Sequence, residues 1–375
     1  MLLFPPILPL AAYYFCKVPA KSKPKGKHSK KRFKAGADRV KSERFTIIDE
    51  SRPTQAYKKF KGLPERVLDG EIWRPAHKRE SGPLVVYTHG FMSNRRESLY
   101  LVRYLASHGY TVVSLDFPLT GMSAPNGPLV QDIINQPVDV SLIIDYVLER
   151  NEDPDDVLYN TIDPKKIALT GVSLGALTSM LTTFHTELKD PRVAALISIA
   201  GPTTVFNSRF YADSDVPTLL IYGDSDSLVL YEEHAFHALT KLKRGSLLTL
   251  KRGSHAGFAQ PASTFLRFLK NPDSIAFIAL KFEKDEKPWD FVPILGGEEM
   301  GIVKPEREVP PAGIIVPRAM KAARQQMYTA LATHMFIESI FSDDAEVRDS
   351  ANHFLHKVLP EENLGEISMM QEITA

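Results

Sequence analysis

The sequence has few cysteines, almost no net charge and no apolar run long enough to cross a membrane. Cys16 is the single cysteine, which excludes an intramolecular disulfide and a cluster of thiolate metal ligands. The formal net charge is +1, which lacks the overall basic signature of a nucleic-acid-binding protein. Hydrophobic residues make up 43% of the 375 residues, enough for a sizeable core. The fold must therefore be stabilised by that core.

The N-terminus is the exception to this even composition, because an apolar stretch at 2–15 is followed by a basic run. The basic run contains Lys17, Lys21, Lys23, Lys25, Lys27, Lys30, Lys31, Arg32 and Lys34. The apolar stretch is shorter than the roughly 20 residues of a spanning helix, contains prolines and lacks the positive start of a secretory signal. Composition favours an envelope anchor or signal-like segment, with residues 1–34 in contact with anionic lipid. A misassigned start codon, a disordered tail and a cytoplasmic location are the alternatives.

Beyond this start, short apolar runs alternate with helical patterns, which is typical of a mostly parallel sheet with helices on both faces. The predicted strands are 84–87, 111–115, 166–170, 194–200, 218–222 and 246–250, and the predicted helices are 96–108, 138–148, 174–188, 318–340 and 345–359. We therefore divide the chain into an apolar segment plus basic linker at 1–44 and one α/β domain at 45–375. Residues 271–316, rich in proline, glycine and charge, predict a lid-like insertion before the C-terminal helices or, equally, a surface loop without a role.

The strongest local motif is Gly-Val-Ser-Leu-Gly at 171–175, the pattern of a nucleophile elbow. In such an elbow the serine lies on a strained turn between strand and helix, where a Cβ on either glycine would collide with backbone. The motif alone occurs by chance in roughly a tenth of chains of this length. Here it follows the strand-like run 167–170 and opens a helical pattern, which is the expected context. Ser173 is the predicted nucleophile.

A serine nucleophile needs a base to take its proton and a carboxylate to orient that base. His255 follows the predicted strand 246–250, and Asp226 follows the predicted strand 218–222. The order Ser, Asp, His along the chain is the order found with such elbows. All three residues would lie at the carboxyl ends of strands, where open α/β sheets bind their ligands. The sequence therefore predicts a Ser173, Asp226, His255 triad.

Other roles for these polar residues remain open. Asp224 could orient the base or cap the next helix, but we favour Asp226 because the first carboxylate of such a loop is more often a turn former. Asp116 ends an earlier strand, where a turn role is favoured. His255 could be a surface loop histidine, although its flanking glycines and its position in the chain favour catalysis.

Two backbone N–H groups are predicted to form the oxyanion hole, where the loss of one donor typically costs about 3 to 4 kcal/mol. One belongs to Leu174, directly after the nucleophile, and the other to Phe91, in the loop after strand 84–87. His89, in the same loop, is expected to pack and shape the loop rather than to react.

Together these residues resemble the α/β-hydrolase superfamily, in the branch of dienelactone hydrolases, bacterial polyester hydrolases and platelet-activating-factor acetylhydrolase-like serine esterases. The resemblance covers 51–257 and is carried by Ser-Arg-Pro-Thr at 51–54, Gly-Glu-Ile-Trp-Arg-Pro at 70–75, His-Gly-Phe at 89–91, Asp-Phe-Pro-Leu-Thr at 116–120, the elbow and the Asp and His loops. It implies an α/β-hydrolase fold and a cofactor-free hydrolase that cleaves carboxylic esters through an acyl-enzyme. Dienelactone hydrolases use a cysteine nucleophile, so Ser173 argues against that particular reaction.

The substrate is expected to be a small-molecule or lipid-like ester. Four apolar side chains in loops near the site suit an acyl or alkyl group, although each could belong to the core: Phe91, Met92, Leu119 and Met122. An amidase or peptidase would use the same triad and remains an alternative.

Three further classes are weighed against an esterase. A non-catalytic, membrane-tethered binding protein of this fold would lack a triad residue, and none is missing. The pairs His234/His237 and His353/His356 have helical spacing but no third ligand, so no metal is expected. Nucleic acid is not expected as a partner, because the basic run carries no recognisable binding module. The oligomeric state is left open.

Overall fold

One large sheet organises the chain. The computed structural model describes residues 19–77, 80–276, 289, 291–305 and 316–371. Within these residues the strands are β1 (Val40–Asp49), β2 (Arg66–Pro75), β3 (Gly82–Thr88), β4 (Thr111–Leu115), β5 (Ile162–Val172), β6 (Val193–Ile199), β7 (Thr218–Gly223), β8 (Gly245–Leu250) and β9 (Ile367–Gln371). They are hydrogen-bonded in the order β1-β2-β4-β3-β5-β6-β7-β8-β9. Strands β3 to β8 are parallel, while β1, β2 and β9 run antiparallel to their neighbours.

Helices connect most of these strands. They are α1 (Lys27–Arg32), α2 (Leu99–Ser107), α3 (Gln136–Glu152), α4 (Leu174–Phe184), α5 (Ser208–Tyr211), α6 (Tyr231–Leu239), α7 (Gln260–Ser263), α8 (Ala322–Phe341), α9 (Ala345–His353) and α10 (Leu359–Glu362). Short 3-10 turns lie at Val130–Asn135, Ala256–Phe258, Val292–Leu295 and Glu298–Met300, and a π-helical turn at Phe354–Val358 joins α9 to α10.

The sheet is buried on both faces. In β3, Leu84 and Val86 pack into one core cluster, whereas Val85 packs into the other, because successive side chains of a strand point to opposite faces. Leu177 of α4 belongs to the first cluster and Leu331 of α8 to the second. The prediction of a mostly parallel sheet with helices on both faces is confirmed.

Three strands at the margins of the sheet, β1, β2 and β9, were not predicted. In β1 half-buried residues alternate with exposed ones, so its apolar signal is weak. In β2 the buried residues include Arg66 and Glu71, which are charged and paired with partners distant in sequence. β1 begins at Val40, ahead of the predicted domain boundary at residue 45. The first strand of the sheet therefore begins within the predicted linker.

The described part of the predicted insertion 271–316 packs against the domain. Phe291 and Ile302 are 2% exposed. The Val303 N–H donates to the Val205 carbonyl at 2.9 Å, which ties the segment to the loop after β6. Residues 291–305 thus cover the carboxyl-end loops of the sheet as part of the core, and a lid function stays a prediction.

The described part of the basic N-terminal run lies against the C-terminal helices. The Ser29 N–H and hydroxyl both donate to Glu362 at 2.7 Å, and Arg32 forms an ion pair with Glu338 at 2.9 Å. The lysines that remain exposed are Lys21, Lys23, Lys25, Lys27, Lys30, Lys31 and Lys34. From residue 19 onward the run is therefore docked on the domain, and its contact with lipid stays a prediction. The apolar segment at 2–15 lies outside the described residues.

Candidate active site

The serine at the centre of the elbow has a strained backbone. Ser173 has φ 56° and ψ −119°, a positive φ that is unfavourable for a residue with a Cβ. It connects β5 directly to α4, and its N–H donates to the carbonyl of Ile199 at 2.9 Å. The turn therefore presents a half-buried Ser173 at the carboxyl end of β5.

The two elbow glycines allow the end of β3 to approach this turn. A Cβ on Gly171 would lie 2.2 Å from Thr88 Oγ1, and a Cβ on Gly175 would lie 2.2 Å from the Thr88 carbonyl oxygen. Thr88 Oγ1 also donates to the Gly175 carbonyl at 2.8 Å. Close packing of β3 on the elbow, together with the strain at Ser173, accounts for both glycines.

Asp226 and His255, predicted as partners of the serine, are hydrogen-bonded to each other. His255 Nδ1 lies 2.8 Å from Asp226 Oδ2, while Asp226 Oδ1 accepts the N–H groups of Leu228 and Val229 at 2.9 and 2.8 Å. Burial would lower the pKa of His255, but the charge and hydrogen bond of Asp226 outweigh burial and raise it to about 8. Asp226 thus has one oxygen fixed by its own loop and one committed to the imidazole.

The two competing carboxylates have other partners. Asp224 accepts a hydrogen bond from the backbone N–H of Arg252 and lies near Lys251, with no contact to His255 among the described residues. Asp116 accepts the backbone N–H of Arg95 at 2.6 Å and pairs with its guanidinium. Both hydrogen-bonding patterns are typical of carboxylates that stabilise turns.

Helix α8 supports the loop that carries the histidine. Gln325 accepts the Ser254 N–H at 3.0 Å and donates to the Ser254 carbonyl at 2.7 Å. Gln326 donates to the carbonyls of Gly257 and Ala259 at 3.1 and 2.8 Å. The residues on either side of His255 are therefore held by one rigid helix.

The predicted oxyanion donors lie in two segments that meet at the elbow. A Cβ on Gly90 would lie 3.4 Å from Ser173 Cβ, so the Phe91 loop is adjacent to the serine. Within the described residues, neither the Phe91 N–H nor the Leu174 N–H donates to a protein acceptor. Both groups are thus available to a ligand.

His89 and Glu97 shape the loop that carries Phe91. Glu97 Oε2 accepts the Gly90 N–H at 3.0 Å and the Tyr87 hydroxyl at 2.6 Å. His89 Nε2 accepts the N–H of Phe117 at 3.0 Å, so the proton lies on Nδ1, 2.8 Å from the Gly90 carbonyl. Burial lowers the pKa of His89, which keeps it neutral.

The predicted substrate-contacting residues differ in exposure. Phe91 and Met92 are half-buried, and Met122 is 69% exposed. The loops of Met92 and Met122 are joined, because the Met122 N–H donates to the Ser93 carbonyl at 2.6 Å. Leu119 is 0% exposed and therefore supports these loops from beneath.

Asp273 is a residue of this site that sequence reasoning missed. Its buried side chain accepts N–H groups from Ser227, His255 and Ala256. Asn-Pro-Asp-Ser at 271–274 reads as an ordinary turn in the sequence, and the donors are distant along the chain. Only the aspartate directly after an Asn-Pro pair offered a signal, and it was a weak one.

The histidine pairs weighed as metal ligands are engaged separately. His234 Nδ1 accepts the Thr203 N–H at 2.9 Å, and His237 Nε2 lies 2.7 Å from the Phe206 carbonyl. Among the described residues, no three His, Cys, Asp or Glu side chains are grouped to hold a metal ion.

No helix in the described ranges has the length and apolar character to cross a membrane.

The parallel sheet, its helical layers and the strained strand-to-helix serine define an α/β-hydrolase. A family model described as PET hydrolase-like matches residues 64–283, more than half of the chain. The chain belongs to this family of ester-cleaving hydrolases, which confirms the predicted resemblance to polyester hydrolases. No individual curated protein matches the chain in sequence.

Proposed function

We propose that the protein cleaves carboxylic esters through an acyl-enzyme, with Ser173 as nucleophile, His255 as general base and Asp226 as the orienting carboxylate. The observation that carries this proposal is the 2.8 Å hydrogen bond between Asp226 and His255, together with a serine in the strained elbow turn of a PET hydrolase-like chain. The chain order and the three strand ends agree with it.

The proposed reaction has two stages, acylation of Ser173 and hydrolysis of the acyl-enzyme. His255 Nε2 takes the Ser173 hydroxyl proton as Oγ attacks the ester carbonyl carbon, and the Phe91 and Leu174 N–H groups stabilise the oxyanion. His255 then gives the proton to the departing alcohol oxygen, and water hydrolyses the acyl-enzyme by the same steps. Asp226 holds the Nδ1 proton and stabilises the imidazolium, which agrees with the raised pKa of about 8 for His255.

Apolar side chains on the loops near the elbow support the proposed substrate class. Phe91, Met92 and Met122 offer partly exposed apolar surface on the two loops joined near the elbow. Such a surface suits an apolar acyl group better than a charged one. We infer an ester with an apolar acyl chain or ring, which includes the polyester-type esters that the family name indicates.

Nitrophenyl esters of increasing acyl length, compared with the matching nitroanilides, test the proposal. We expect ester hydrolysis with a chain-length preference, little anilide hydrolysis, and a loss of kcat of roughly 10⁴- to 10⁶-fold in Ser173→Ala. The matched control is Ser179→Ala, a buried serine on α4 that contacts Thr88. Full activity in folded Ser173→Ala overturns the proposal, and faster anilide hydrolysis replaces the esterase by an amidase.

A further inference from the structure

Asp273 joins the two loops that carry the proposed catalytic acid and base. Its Oδ2 accepts the N–H groups of Ser227 and His255, both at 3.1 Å, and its Oδ1 accepts the N–H of Ala256 at 2.7 Å. Ser227 directly follows Asp226, whereas the other two donors belong to the histidine loop. One carboxylate therefore fixes the distance between the two loops.

The backbone of Asp273 is itself anchored. Its N–H donates to Asn271 Oδ1 at 2.9 Å, and Asn271 Nδ2 donates to the Pro317 carbonyl at 2.8 Å. The Ala319 N–H donates to the Lys270 carbonyl at 2.9 Å. The two ends of the predicted insertion thus meet beside the histidine loop, and Asp273 projects from this closed base.

The surroundings of Asp273 are electrostatically unusual. Its side chain is fully buried, and Asp226 and His255 are the charged groups that act on it. Glu97 and His234 lie close enough to His255 to interact with it electrostatically. Burial and the charge of Asp226 raise the pKa of Asp273 to about 6. Burial lowers the pKa of His234 to about 4, so His234 is neutral near neutral pH. His255 is therefore the group that responds to both carboxylates.

We propose that Asp273 is a positioning residue of the active site, whose carboxylate holds the Asp226 loop against the His255 loop and adds a second negative charge beside the imidazole. It touches neither the substrate nor the reacting atoms, and it acts through His255. This inference rests on the proposed function and deepens it, because it assigns a task to the first residues of the insertion.

The first test is an NMR titration of the His255 imidazole in the full chain, with and without Asp273→Asn. An amide has one oxygen and no charge, so it loses an acceptor and the electrostatic support of the imidazolium. We expect a lower His255 pKa, a kcat reduced by up to about 100-fold and a nearly unchanged KM. A role in stability alone would reduce the folded fraction without moving the imidazole pKa.

Two further variants separate charge, geometry and stability. Asp273→Glu keeps the charge. We expect its His255 pKa to stay close to the wild-type value while kcat falls. Asp190→Asn is the matched control, because Asp190 is a buried carboxylate paired with Arg192 before β6, and its loss should leave the imidazole pKa unchanged. An equal shift in Asp190→Asn, or none in folded Asp273→Asn, overturns the proposal.

If Asp273→Asn does not fold, a titration of the wild-type protein still tests the proposal. Because one carboxylate accepts all three N–H groups, the amide shifts of Ser227, His255 and Ala256 should share one titration step near pH 6, separate from the His255 imidazole step at about 8. The absence of a shared step below the imidazole step overturns the proposal. The imidazole titration needs no turnover, so an active Ser173→Ala would refute the proposed function while a shifted imidazole pKa would still support the link between the loops.

Discussion

Among the residues that the structure describes, the charged side chains around Arg66 and those around His255 differ in what can change their charge. The arginine cluster comprises Arg66, Asp132 and Asp139, all 0% exposed, with both carboxylates bound by the guanidinium at 2.6 to 3.0 Å. The histidine cluster comprises Asp226, His255 and Asp273, where Asp226 binds the imidazole and Asp273 binds the backbone N–H of His255.

The cation decides the role of each cluster. The attraction of Asp139 and Asp132 outweighs the effect of burial and raises the pKa of Arg66, so the guanidinium stays charged. Burial raises the pKa of Asp139, although Arg66 and Arg52 both act to lower it. His255, by contrast, can lose its proton near neutral pH. The permanently charged cluster suits a structural task, joining β2 to the start of α3, and the titratable one suits catalysis.

The largest effect is expected when the histidine cluster loses the Asp226 carboxylate. Asp226→Asn should lower kcat about 10⁴-fold with a modest change in stability, because an amide favours the wrong imidazole tautomer. Asp224→Asn, the matched control two residues away, should change kcat by less than about tenfold, since an exposed turn contact is worth little. Steady-state hydrolysis of a nitrophenyl ester measures both, and the reverse ranking would assign Asp224 as the orienting carboxylate.

The second largest effect is expected when the arginine cluster loses Arg66. Arg66→Met should reduce the free energy of unfolding by about 3 to 5 kcal/mol, because two buried carboxylates lose the guanidinium they share and only Asp139 keeps a cation, Arg52. Urea unfolding measures this change, and kcat per folded molecule should stay close to that of the wild type. Adding Asp132→Asn and Asp139→Asn should recover part of the loss. A loss of kcat without a loss of stability would show that the two clusters are not separate.

The smallest expected effect is the pH dependence of hydrolysis, which should follow the histidine cluster and not the arginine cluster. A general base must be unprotonated, so kcat/KM should rise with pH through the His255 pKa of about 8 and level off above it. Arg66→Met should leave this limb in place, since the Arg66 side chain binds Asp132 and Asp139 rather than the histidine cluster. A limb at the ordinary histidine value of 6.5 would mean that Asp226 does not support the imidazolium.

Much of the central sheet was predictable because its residues carry the signal themselves. Strand β4 was predicted with its observed bounds, 111–115, because every residue of it is buried and breakers flank it. Helix α4 ends at Phe184 rather than at 188. The reason is His185, whose Nδ1 accepts the Glu187 and Leu188 N–H groups while Nε2 binds the Leu295 carbonyl. The last partner is too distant in sequence to predict.

The candidate site shows the same division between local and distant information. Ser173 stands in a five-residue motif, and His255 and Asp226 follow recognisable strands, so each could be proposed from its neighbours. Asp273 could not, because its role comes from three backbone donors brought to it by two loops. The buried ion pairs of Arg66 could not be predicted for a related reason, since a lone arginine in a strand does not indicate which residues it will pair with.

The central claim, that Ser173 is a nucleophile activated by His255, is tested most directly by covalent labelling. The full-length protein is incubated with a fluorophosphonate, and the modified peptide is identified by mass spectrometry. We expect one adduct on Ser173, none in Ser173→Ala, and labelling that quickens as pH rises through about 8. A folded wild-type protein that stays unlabelled, or an adduct on another residue, would contradict the account.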